Sequence, residues 1–437
     1  MIPNLSLSPN LSRRGLIGLG AAAGAGALAS CSGMGGGGKK EGGDAGKLQF
    51  WSNHPGTSKK LEQEFIEGFQ KKNPDVKVTL IDAGKDYEEV AQKFNAALSG
   101  GGLPDIVVVS DVTWFNFALN EQLAPLEDLF DDAGVDPKDY VQPLYEDYVF
   151  QDKHYALPYA RSTPLFYYNT EMWKKAGLPD QGPKDWDQMR EWADALKSKA
   201  GAKLALVSGD GANYLDWIFE GLNWSMGGSY SDEFTPTFTK KETIEAGEFL
   251  KEFTGKKLWG VSTDPAPVFA SGQAAVCVES TGSLKGILDS AKFKVGTAFL
   301  PGPEGESCPT GGAGLAIPAG ISKERQVNAL KAIGYFTNTE NTATFALGTG
   351  YMPVRPDATE SDTIKDYLKK VPQAKTALDQ LPHTKPQDAA RVFVSGGGRQ
   401  IGGGLDKIVQ GGDVKDVFGD LQDWAKPKLE QLAKKAK

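Results

Sequence analysis

Polar side chains follow two apolar runs of the sequence at the points where the runs end. Asp111 comes shortly after the run 106–109, and Ser280 and Thr281 come shortly after the run 274–278. Such runs predict buried strands, and ligands of open α/β sheets bind beyond the carboxyl ends of strands. A carboxylate accepts hydrogen bonds from paired hydroxyls, whereas hydroxyl and backbone N–H groups donate to an anion. Polar residues at these strand ends are what a polyol site would require.

Aromatic residues near the predicted strand ends favour a second ligand class. Trp51 and His54 lie at the end of the first predicted strand, and Trp114 follows the third. Trp and Tyr rings stack on pyranose rings, so these residues, together with Trp217 and Trp224, would suit a neutral sugar. Tryptophans at such positions are more often core residues. We expect at least two of the four tryptophans to pack in the core.

The sequence contains no GxSxG or HExxH motif and no His/Cys cluster at metal-binding spacing. With three histidines and three cysteines, we expect neither a metal nor a cofactor. The two carboxylates of a glycosidase lie far apart along a chain, so the exported hydrolase stays open as a remote alternative. A formal net charge of -8 argues against nucleic acid as a partner. A small anionic ligand remains compatible, because it responds to local charge.

The first thirty residues have the pattern of an export signal. Arg13 and Arg14 precede the apolar run 16–29, which is too short to span a membrane comfortably. The paired arginines favour the twin-arginine route. The run ends in Leu-Ala-Ser-Cys at 28–31, which resembles the lipobox of bacterial lipoproteins. This resemblance implies a signal over 1–30 and lipidation of Cys31, and the Gly-rich segment 31–46 then serves as a flexible tether.

Export would place Cys277 and Cys308 in an environment that permits disulfides. Spacing alone fixes no geometry. A bridge between the two thiols and two separate buried thiols therefore both remain open.

The mature chain alternates strand and helix patterns, which indicates an α/β fold built on parallel sheets. The C-terminal segment 363–436 is expected to be mostly helical, with a Gly-rich interruption at 396–404. The predicted strands are 47–52, 76–81, 106–109, 165–168, 204–207, 274–278 and 315–318, and the predicted helices before the C-terminal segment are 58–71, 87–98, 186–199, 283–291 and 324–336.

Several ordered segments resemble family 1 extracellular solute-binding proteins of ABC importers. The segments are GLPDI (102–106), HYALPY (154–159), LFYYN (165–169), KAGL (175–178) and FASGQAA (269–275). The resemblance implies a two-lobed, type II periplasmic-binding-protein-like fold with hinged lobes and a ligand cleft between them. It implies no catalytic residues, a monomer, and a membrane permease as partner. The implied lobes are 47–160 with 313–349, and 161–312 with 350–437, with chain crossings near Ala160, Gly314 and Gly348.

Within that family the sequence is most similar to binders of sn-glycerol 3-phosphate and glycerophosphodiesters. The matching pieces are STP (162–164), TGSL (281–284), GGA (311–313) and TGYMP (349–353). The resemblance implies ligand contacts at seven positions, and five secondary candidates come from the predicted strand ends and from the position next to Ser162. The seven are Tyr87, Asp111, Ser162, Ser280, Gly312, Tyr351 and Arg391, and the secondary ones are Trp51, His54, Trp114, Arg161 and Thr281.

The chemistry of these side chains suits a glycerol phosphate, although simpler roles stay open. Asp111 would accept from the glycerol hydroxyls, Arg391 would bind phosphate through two N–H groups, and backbone N–H groups after Ser280 would add to the anion site. Alternatively, Asp111 and Ser280 are helix caps, Tyr87 packs in the core, and Arg391 pairs with a surface carboxylate.

One region departs from the family pattern. Enteric-type members carry two tryptophans shortly after a Ser-Gly pair, whereas here the pair at 208–209 is followed by no tryptophan until Trp217. This change would widen the head-group end of the pocket and suit a glycerophosphodiester such as glycerophosphocholine. Arg161 replaces an uncharged residue, and it would either add a second cation to the site or be solvated at the hinge.

The sequence therefore predicts a lipid-anchored solute-binding protein on the outer face of the cytoplasmic membrane. It would capture glycerol 3-phosphate or a glycerophosphodiester and deliver it to an ABC permease. The same receptor role for a neutral sugar or oligosaccharide is the alternative. A structural or adhesive role would not require a cleft.

Overall fold

A computed structural model describes residues 43–303 and 307–435. The predicted signal over 1–30, the lipidation site Cys31 and most of the predicted tether lie outside these residues. Within the described ranges, no helix is both long enough and apolar enough to cross a bilayer.

Two five-stranded sheets form the framework, and six two-residue strands pair outside them. The strands are β1 (Lys47–Ser52), β2 (Lys77–Asp82), β3 (Ile106–Ser110), β4 (Val149–Phe150), β5 (Lys153–His154), β6 (Ala156–Ser162), β7 (Pro164–Asn169), β8 (Leu204–Gly209), β9 (Ser231–Asp232), β10 (Thr235–Pro236), β11 (Trp259–Ser262), β12 (Ala274–Ser280), β13 (Val295–Ala298), β14 (Cys308–Pro309), β15 (Gly311–Ala316) and β16 (Thr384–Lys385). The seven predicted strands correspond to β1, β2, β3, β7, β8, β12 and β15 with bounds within four residues, whereas β6, β11 and β13 of these sheets were not predicted.

Helices surround both sheets, and several begin at side-chain caps. Asp86 accepts a hydrogen bond from the N–H of Glu89 at 2.9 Å, and Asp185 accepts one from Gln188 at 2.8 Å, as preferred N-cap residues do. The helices are α1 (Lys59–Lys72), α2 (Tyr87–Gly100), α3 (Trp114–Leu119), α4 (Phe130–Ala133), α5 (Gln142–Tyr145), α6 (Thr170–Ala176), α7 (Trp186–Ser198), α8 (Leu215–Ser225), α9 (Lys241–Gly255), α10 (Pro265–Ala270), α11 (Leu284–Ser290), α12 (Lys323–Phe336), α13 (Thr339–Thr349), α14 (Pro356–Thr359), α15 (Asp362–Lys370), α16 (Gln373–Gln380), α17 (Ala389–Val392), α18 (Gly397–Val409) and α19 (Val414–Lys435).

Both sheets are mixed, so the prediction of parallel sheets was wrong in part. The first has the order β2-β1-β3-β15-β6, with β1 parallel to β2 and β3, and β15 antiparallel to β3 and β6. The second has the order β11-β8-β12-β7-β13, with β7 antiparallel to β12 and β13. Parallel neighbouring strands need a crossover connection, usually a helix. β6 continues into β7 after one residue, and the two strands lie in different sheets, so no crossover helix connects them.

The chain passes from the first sheet to the second at Thr163, between β6 and β7. Ala160 and Gly314 lie inside paired strands of the first sheet, where Ala160 pairs with Ala313. Residues 161–162 and 311–312 also pair with each other in the first sheet, although the predicted lobe limits placed them in the second lobe. The lobe limits themselves stay a prediction.

The Gly-rich segment 396–404 is helical, so the predicted interruption of the C-terminal helices was wrong. It forms most of α18, and four of its six glycines, at 397, 398, 402 and 404, lie where other chain segments approach closely. A Cβ at Gly402 would lie 2.1 Å from the carbonyl oxygen of Gly211, and one at Gly404 would lie 2.8 Å from Cδ1 of Leu421. Close packing therefore offsets the low helix propensity of glycine.

A buried ion pair fixes the loop before β3. Asp105 is fully buried, accepts from the N–H of Gln49 at 2.8 Å, and pairs with Nε of Arg325 at 2.7 Å. Asp105 belongs to the GLPDI segment and Arg325 to α12. The pair therefore joins the first sheet to a helix that packs on it.

Substitution of Asp105 by Ala should destabilise the protein by about 3–5 kcal/mol, because it leaves a buried guanidinium without its carboxylate partner. Chemical denaturation measures the loss of free energy of unfolding. Glu64→Ala is the matched control, since Glu64 pairs with Lys60 at 3.6 Å on the surface and such pairs contribute about 0–1 kcal/mol. Equal losses in the two variants would contradict a structural role for the buried pair.

Candidate functional site

Asp111 lies immediately beyond the carboxyl end of β3 and is buried. Its Oδ1 accepts from Nη1 of Arg161 at 2.5 Å, its Oδ2 accepts from Nε2 of Gln387 at 3.0 Å, and its N–H donates to the carbonyl of Gly312 at 3.2 Å. The cap of α3 is Thr113 rather than Asp111. The structure therefore does not support the simpler role of Asp111 as a helix cap.

Arg161 is fully buried, so it is not solvated at the hinge, and its role as a second cation of the site stays a prediction. Its guanidinium pairs with Asp111 and Asp147 and donates to the hydroxyl of Tyr148 at 2.8 Å. Burial raises the pKa of Asp147 to about 6, although Arg161 acts in the opposite direction. Two carboxylates around one guanidinium leave an excess of negative charge at this end of the site.

Gln387 joins the Asp111 cluster to Arg391. Its amide nitrogen donates to Asp111 and, at 2.7 Å, to the carbonyl of Thr310, and its Oε1 accepts from Nη1 of Arg391. Nε of Arg391 lies 2.7 Å from Oδ2 of Asp216, in a geometry that is not a hydrogen bond. Arg391 is thus buried against Asp216 of α8 and does not pair with a surface carboxylate.

Tyr87 and Tyr351 lie near the same carboxylate. Their hydroxyl oxygens are 3.5 Å apart, and burial, followed by their mutual interaction and Asp111, raises the pKa of the Tyr87 phenol well above its usual range. The ring of Tyr351 lies close to two glycines. A Cβ at Gly56 would be 2.9 Å from it, and one at Gly282 would be 3.0 Å from it.

Gly312 has a positive φ of 107°, a conformation that favours glycine. A Cβ there would lie 2.0 Å from the carbonyl oxygen of Ala160. The absence of a side chain therefore lets β15 pass close to β6 while the carbonyl of Gly312 accepts from Asp111.

The structure does not support the predicted anion site at residues 280–282. Ser280 accepts from the N–H of Gly282 at 3.1 Å, so its hydroxyl caps a turn, as in the simpler alternative. Thr281 is fully buried and its N–H donates to Thr163 at 2.9 Å. The helix α11 then has seven residues. Ser162 lies at the end of β6, where its backbone pairs with Gly311.

All four tryptophans considered for stacking are buried, which confirms the expectation that at least two pack in the core. Trp114 packs edge-on against Tyr148, with ring centroids 5.7 Å apart. Trp51 lies under Lys93, whose Nζ is 4.5 Å from the ring centroid, and Trp224 donates to Asp388. Trp217 donates from Nε1 to the carbonyl of Thr310 at 2.9 Å, which places it next to the Gln387 contacts.

His54 lies in a turn beside Tyr351 rather than in the Asp111 cluster. Its Nδ1 is bonded to the buried carboxylate of Glu62, which also accepts from the hydroxyl of Tyr159 at 3.1 Å. His54 therefore has a structural partner and supports the turn against which Tyr351 packs.

The two cysteines are free, buried thiols, so the structure has the unbridged alternative. Cys277 lies in β12 opposite Tyr167, whereas Sγ of Cys308 is 3.9 Å from the carbonyl oxygen of Pro164. Across residues 43–303 and 307–435, no group of three or more His, Cys, Asp or Glu side chains is arranged to hold a metal ion.

The family of the chain follows from comparison with known proteins. A family profile described as bacterial extracellular solute-binding protein matches residues 64–373, more than half of the sequence. The chain belongs to this family. Its α/β architecture is the two-lobed fold of periplasmic binding proteins, and the family consists of solute-binding receptors that act outside the cytoplasm.

Two similar proteins share one name. The chain is 29% identical over 362 residues to the sn-glycerol-3-phosphate-binding periplasmic protein UgpB of Escherichia coli, covering 78% of this chain and 81% of that protein. It is 50% identical to UgpB of Mycobacterium tuberculosis, whose crystal structure is a complex with glycerophosphocholine, with a TM-score of 0.85 and coverage of 89% of this chain and 99% of that one.

Sugar receptors share the fold at lower identity. The GacH receptor of Streptomyces glaucescens, solved unliganded and with acarbose, is 23% identical with a TM-score of 0.74, covering 88% of this chain and 99% of that one. This likeness concerns the fold alone.

Sequence reasoning missed Gln387, Asp147 and Asp216, which complete the contacts of the predicted Asp111, Arg161 and Arg391. Gln387 precedes α17, which begins at Ala389, so its spacing from Arg391 gave no helix-face signal. Asp147 and Asp216 carried no local signal, because each acts only through a partner distant in sequence.

Glu279 is a buried acid near the site that sequence reasoning also missed. Burial raises the pKa of its carboxyl from an ordinary value of 4.5 to about 7; Asp264 adds to the rise, and the N–H of Ser280 opposes it. The folded protein therefore holds this proton more tightly than the unfolded chain does, and stability contributed by the protonated form is lost as pH rises from about 4.5 to about 7.

Glu279→Gln should remove this pH dependence. The free energy of unfolding of the variant minus that of the parent should increase by on the order of 3 kcal/mol from pH 4 to pH 8. Denaturation at both pH values measures the difference. Glu430→Gln, at an exposed position of α19, is the control. A constant difference between Glu279→Gln and the parent at both pH values would contradict the raised pKa.

Proposed function

We propose that this chain is the substrate-binding lipoprotein of an ABC importer and captures a glycerophosphodiester between its two lobes. Glycerol 3-phosphate is the simpler member of the same ligand class. The observation that carries the proposal is the continuous contact from Asp111 through Gln387 to Arg391. It places a carboxylate acceptor and a cation at opposite ends of one buried amide.

The two ends suit the two parts of the ligand. Each oxygen of Asp111 has one protein donor among the contacts named above, and a carboxylate has about four lone-pair sites, so capacity remains for the glycerol hydroxyls. Arg391 uses Nε and Nη1 in its contacts with Asp216 and Gln387. We assign the Nη2 edge to the phosphate, with Tyr351 and Ser162 as further hydroxyl donors.

The likeness to UgpB of M. tuberculosis supports a glycerophosphodiester. That protein is 50% identical and was crystallised with glycerophosphocholine. A neutral sugar or oligosaccharide is the second candidate, because receptors for such ligands share the fold. The burial of Trp51, Trp114, Trp217 and Trp224 counts against it, since a stacking platform needs an accessible ring face.

Arg391→Ala should weaken the binding of glycerophosphocholine about a hundredfold, as expected when charge-assisted hydrogen bonds to a phosphate are lost. Isothermal titration calorimetry measures the affinity, and maltose and trehalose should give no heat. Arg391→Lys should fall between the parent and the Ala variant, because it keeps the charge but loses the bidentate geometry.

Arg190→Ala is the matched control, because Arg190 is 40% exposed and pairs with Asp187 on the surface. Circular dichroism establishes that each variant is folded. Unchanged affinity in a folded Arg391→Ala protein would remove Arg391 from the site. Binding of a sugar alone would keep the receptor role and overturn the phosphate site. Recovery of a hydrolysed diester would favour the hydrolase alternative.

We also propose that the chain is exported and anchored by a lipid on Cys31. The arginines at 13 and 14, the apolar run 16–29 and the lipobox-like end at Cys31 support export by the twin-arginine route followed by lipidation. A lipid chain would hold the monomeric receptor at the outer face of the cytoplasmic membrane, where the closed, liganded form would dock on its permease.

Cys31→Ser should move the protein from the membrane fraction to the soluble fraction, because the residue that carries the lipid is lost. Fractionation with immunodetection, together with mass spectrometry of the mature protein, measures the change. Cys308→Ser is the control, since Cys308 is a buried free thiol. Equal membrane retention of the Cys31 variant and the parent protein would contradict the anchor.

A further inference from the structure

Tyr214 is one of two large apolar side chains that are exposed among the described residues, with 46% of its surface accessible. It lies directly before α8 in a left-handed conformation, with φ 53° and ψ 24°. Such a conformation is uncommon for a bulky residue and persists only where the surroundings impose it. An exposed aromatic ring held in a strained conformation requires an explanation.

The preceding turn imposes this conformation. A Cβ at Gly209 would lie 1.8 Å from the carbonyl oxygen of Asn213 and 3.4 Å from Cδ2 of Tyr214, so only glycine allows the turn to fold back. The amide of Asn213 donates to Asp210 at 2.8 Å and closes the turn. The ring of Tyr214 is therefore fixed over the end of β8.

Three acidic residues meet at this edge of the second sheet. Gly209, which ends β8, pairs with Ser262, which ends β11. The neighbouring strand β12 runs parallel to β8 and ends one residue after Glu279. Asp210, Asp264 and Glu279 consequently lie around Tyr214. Apart from burial, which is the largest cause, these carboxylates and Tyr351 raise the pKa of the Tyr214 phenol.

No ion pair neutralises these three acids among the residues that the structure describes. Asp210, Asp264 and Glu279 form no ion pair there, whereas Asp216, two residues beyond Tyr214, pairs with Arg391. The first turn of α8 thus separates an anion-binding end at Arg391 from an acidic, aromatic end at Tyr214.

Trp217 forms the wall between the two ends. Its ring centroid is 6.5 Å from that of Tyr214, with the rings at 86°. It is fixed by its bond to Thr310 and by contact with Gly311, where a Cβ would lie 2.3 Å from the Trp217 ring. With 46% of its surface accessible, Tyr214 remains available to a ligand beside this edge-to-face pair.

We propose that Tyr214, together with Glu279 and Asp264, forms a subsite for the quaternary ammonium head group of a glycerophosphodiester. A trimethylammonium group over the face of an aromatic ring is attracted by the ring quadrupole, and the nearby carboxylates add a favourable field. The inference rests on the proposed function, because it assigns the part of the ligand that lies beyond the phosphate at Arg391.

The test compares two diesters that differ only in charge. Calorimetry with the purified full-length protein would use glycerophosphocholine and its neutral isostere, in which a 3,3-dimethylbutyl group replaces choline. The parent protein should bind the choline diester about tenfold more tightly than the isostere, as expected of a partly desolvated cation–π contact. Tyr214→Ala should reduce this preference to less than about threefold, whereas Tyr214→Phe should retain it.

At pH 8, where Glu279 is ionised, Glu279→Gln should also reduce the preference, and it serves if Tyr214→Ala does not fold. Phe299→Ala is the matched control, because Phe299 is the other exposed large apolar residue, at 38%, and it should leave the preference unchanged. Equal weakening of both diesters by Tyr214→Ala would overturn the subsite, as would equal affinities in the parent. Failure of the parent protein to bind either diester would instead refute the proposed function.

Discussion

The guanidinium of Arg161 is the group on which the rest of the site depends. It is fully buried, and a buried charge is tolerated only where partners compensate for its lost hydration. Asp111 and Asp147 supply that compensation. Because Arg161 stands two residues before the crossing at Thr163, this requirement fixes Asp111 against the strand that leads into the second lobe.

The same cluster explains why Asp111 is oriented before any ligand arrives. One of its oxygens is held by Arg161 and the other by Gln387, so its remaining lone pairs have fixed directions. An acceptor fixed in advance loses little entropy on binding. Gln387 also holds Arg391. A substitution of Arg161 would therefore alter the position of Arg391 through Asp111 and Gln387.

Sequence reasoning located strands and strand-end residues, because local patterns encode them. The apolar run before Asp111 forms β3 as the pattern predicted, whereas the predicted strand 315–318 begins four residues earlier, at Gly311. Sequence reasoning failed where tertiary packing decides. The glycines of α18 were taken for a break because glycine propensity is local, whereas close contact with Gly211 and Leu421 is not. The role of Arg161 was missed because its partners lie 50 and 14 residues away. The hydroxyl of Ser280 was assigned to an anion although it satisfies its own turn.

The charge distribution of the site bears on the choice between glycerol 3-phosphate and its diesters. A free phosphate monoester carries close to two negative charges at neutral pH, with a second pKa near 6. It would add them to a region where Asp111 and Asp147 share the single guanidinium of Arg161 and where Asp210, Asp264 and, above a pH of about 7, Glu279 add further negative charge. Arg391 is the cation assigned to the phosphate, and it is already partly neutralised by Asp216. A diester carries one negative charge, and a cationic head group would bring its own compensation to the acidic edge at Tyr214. The electrostatic balance of this chain therefore favours a zwitterionic diester over the monoester, even though both fit the same acceptor and donor groups.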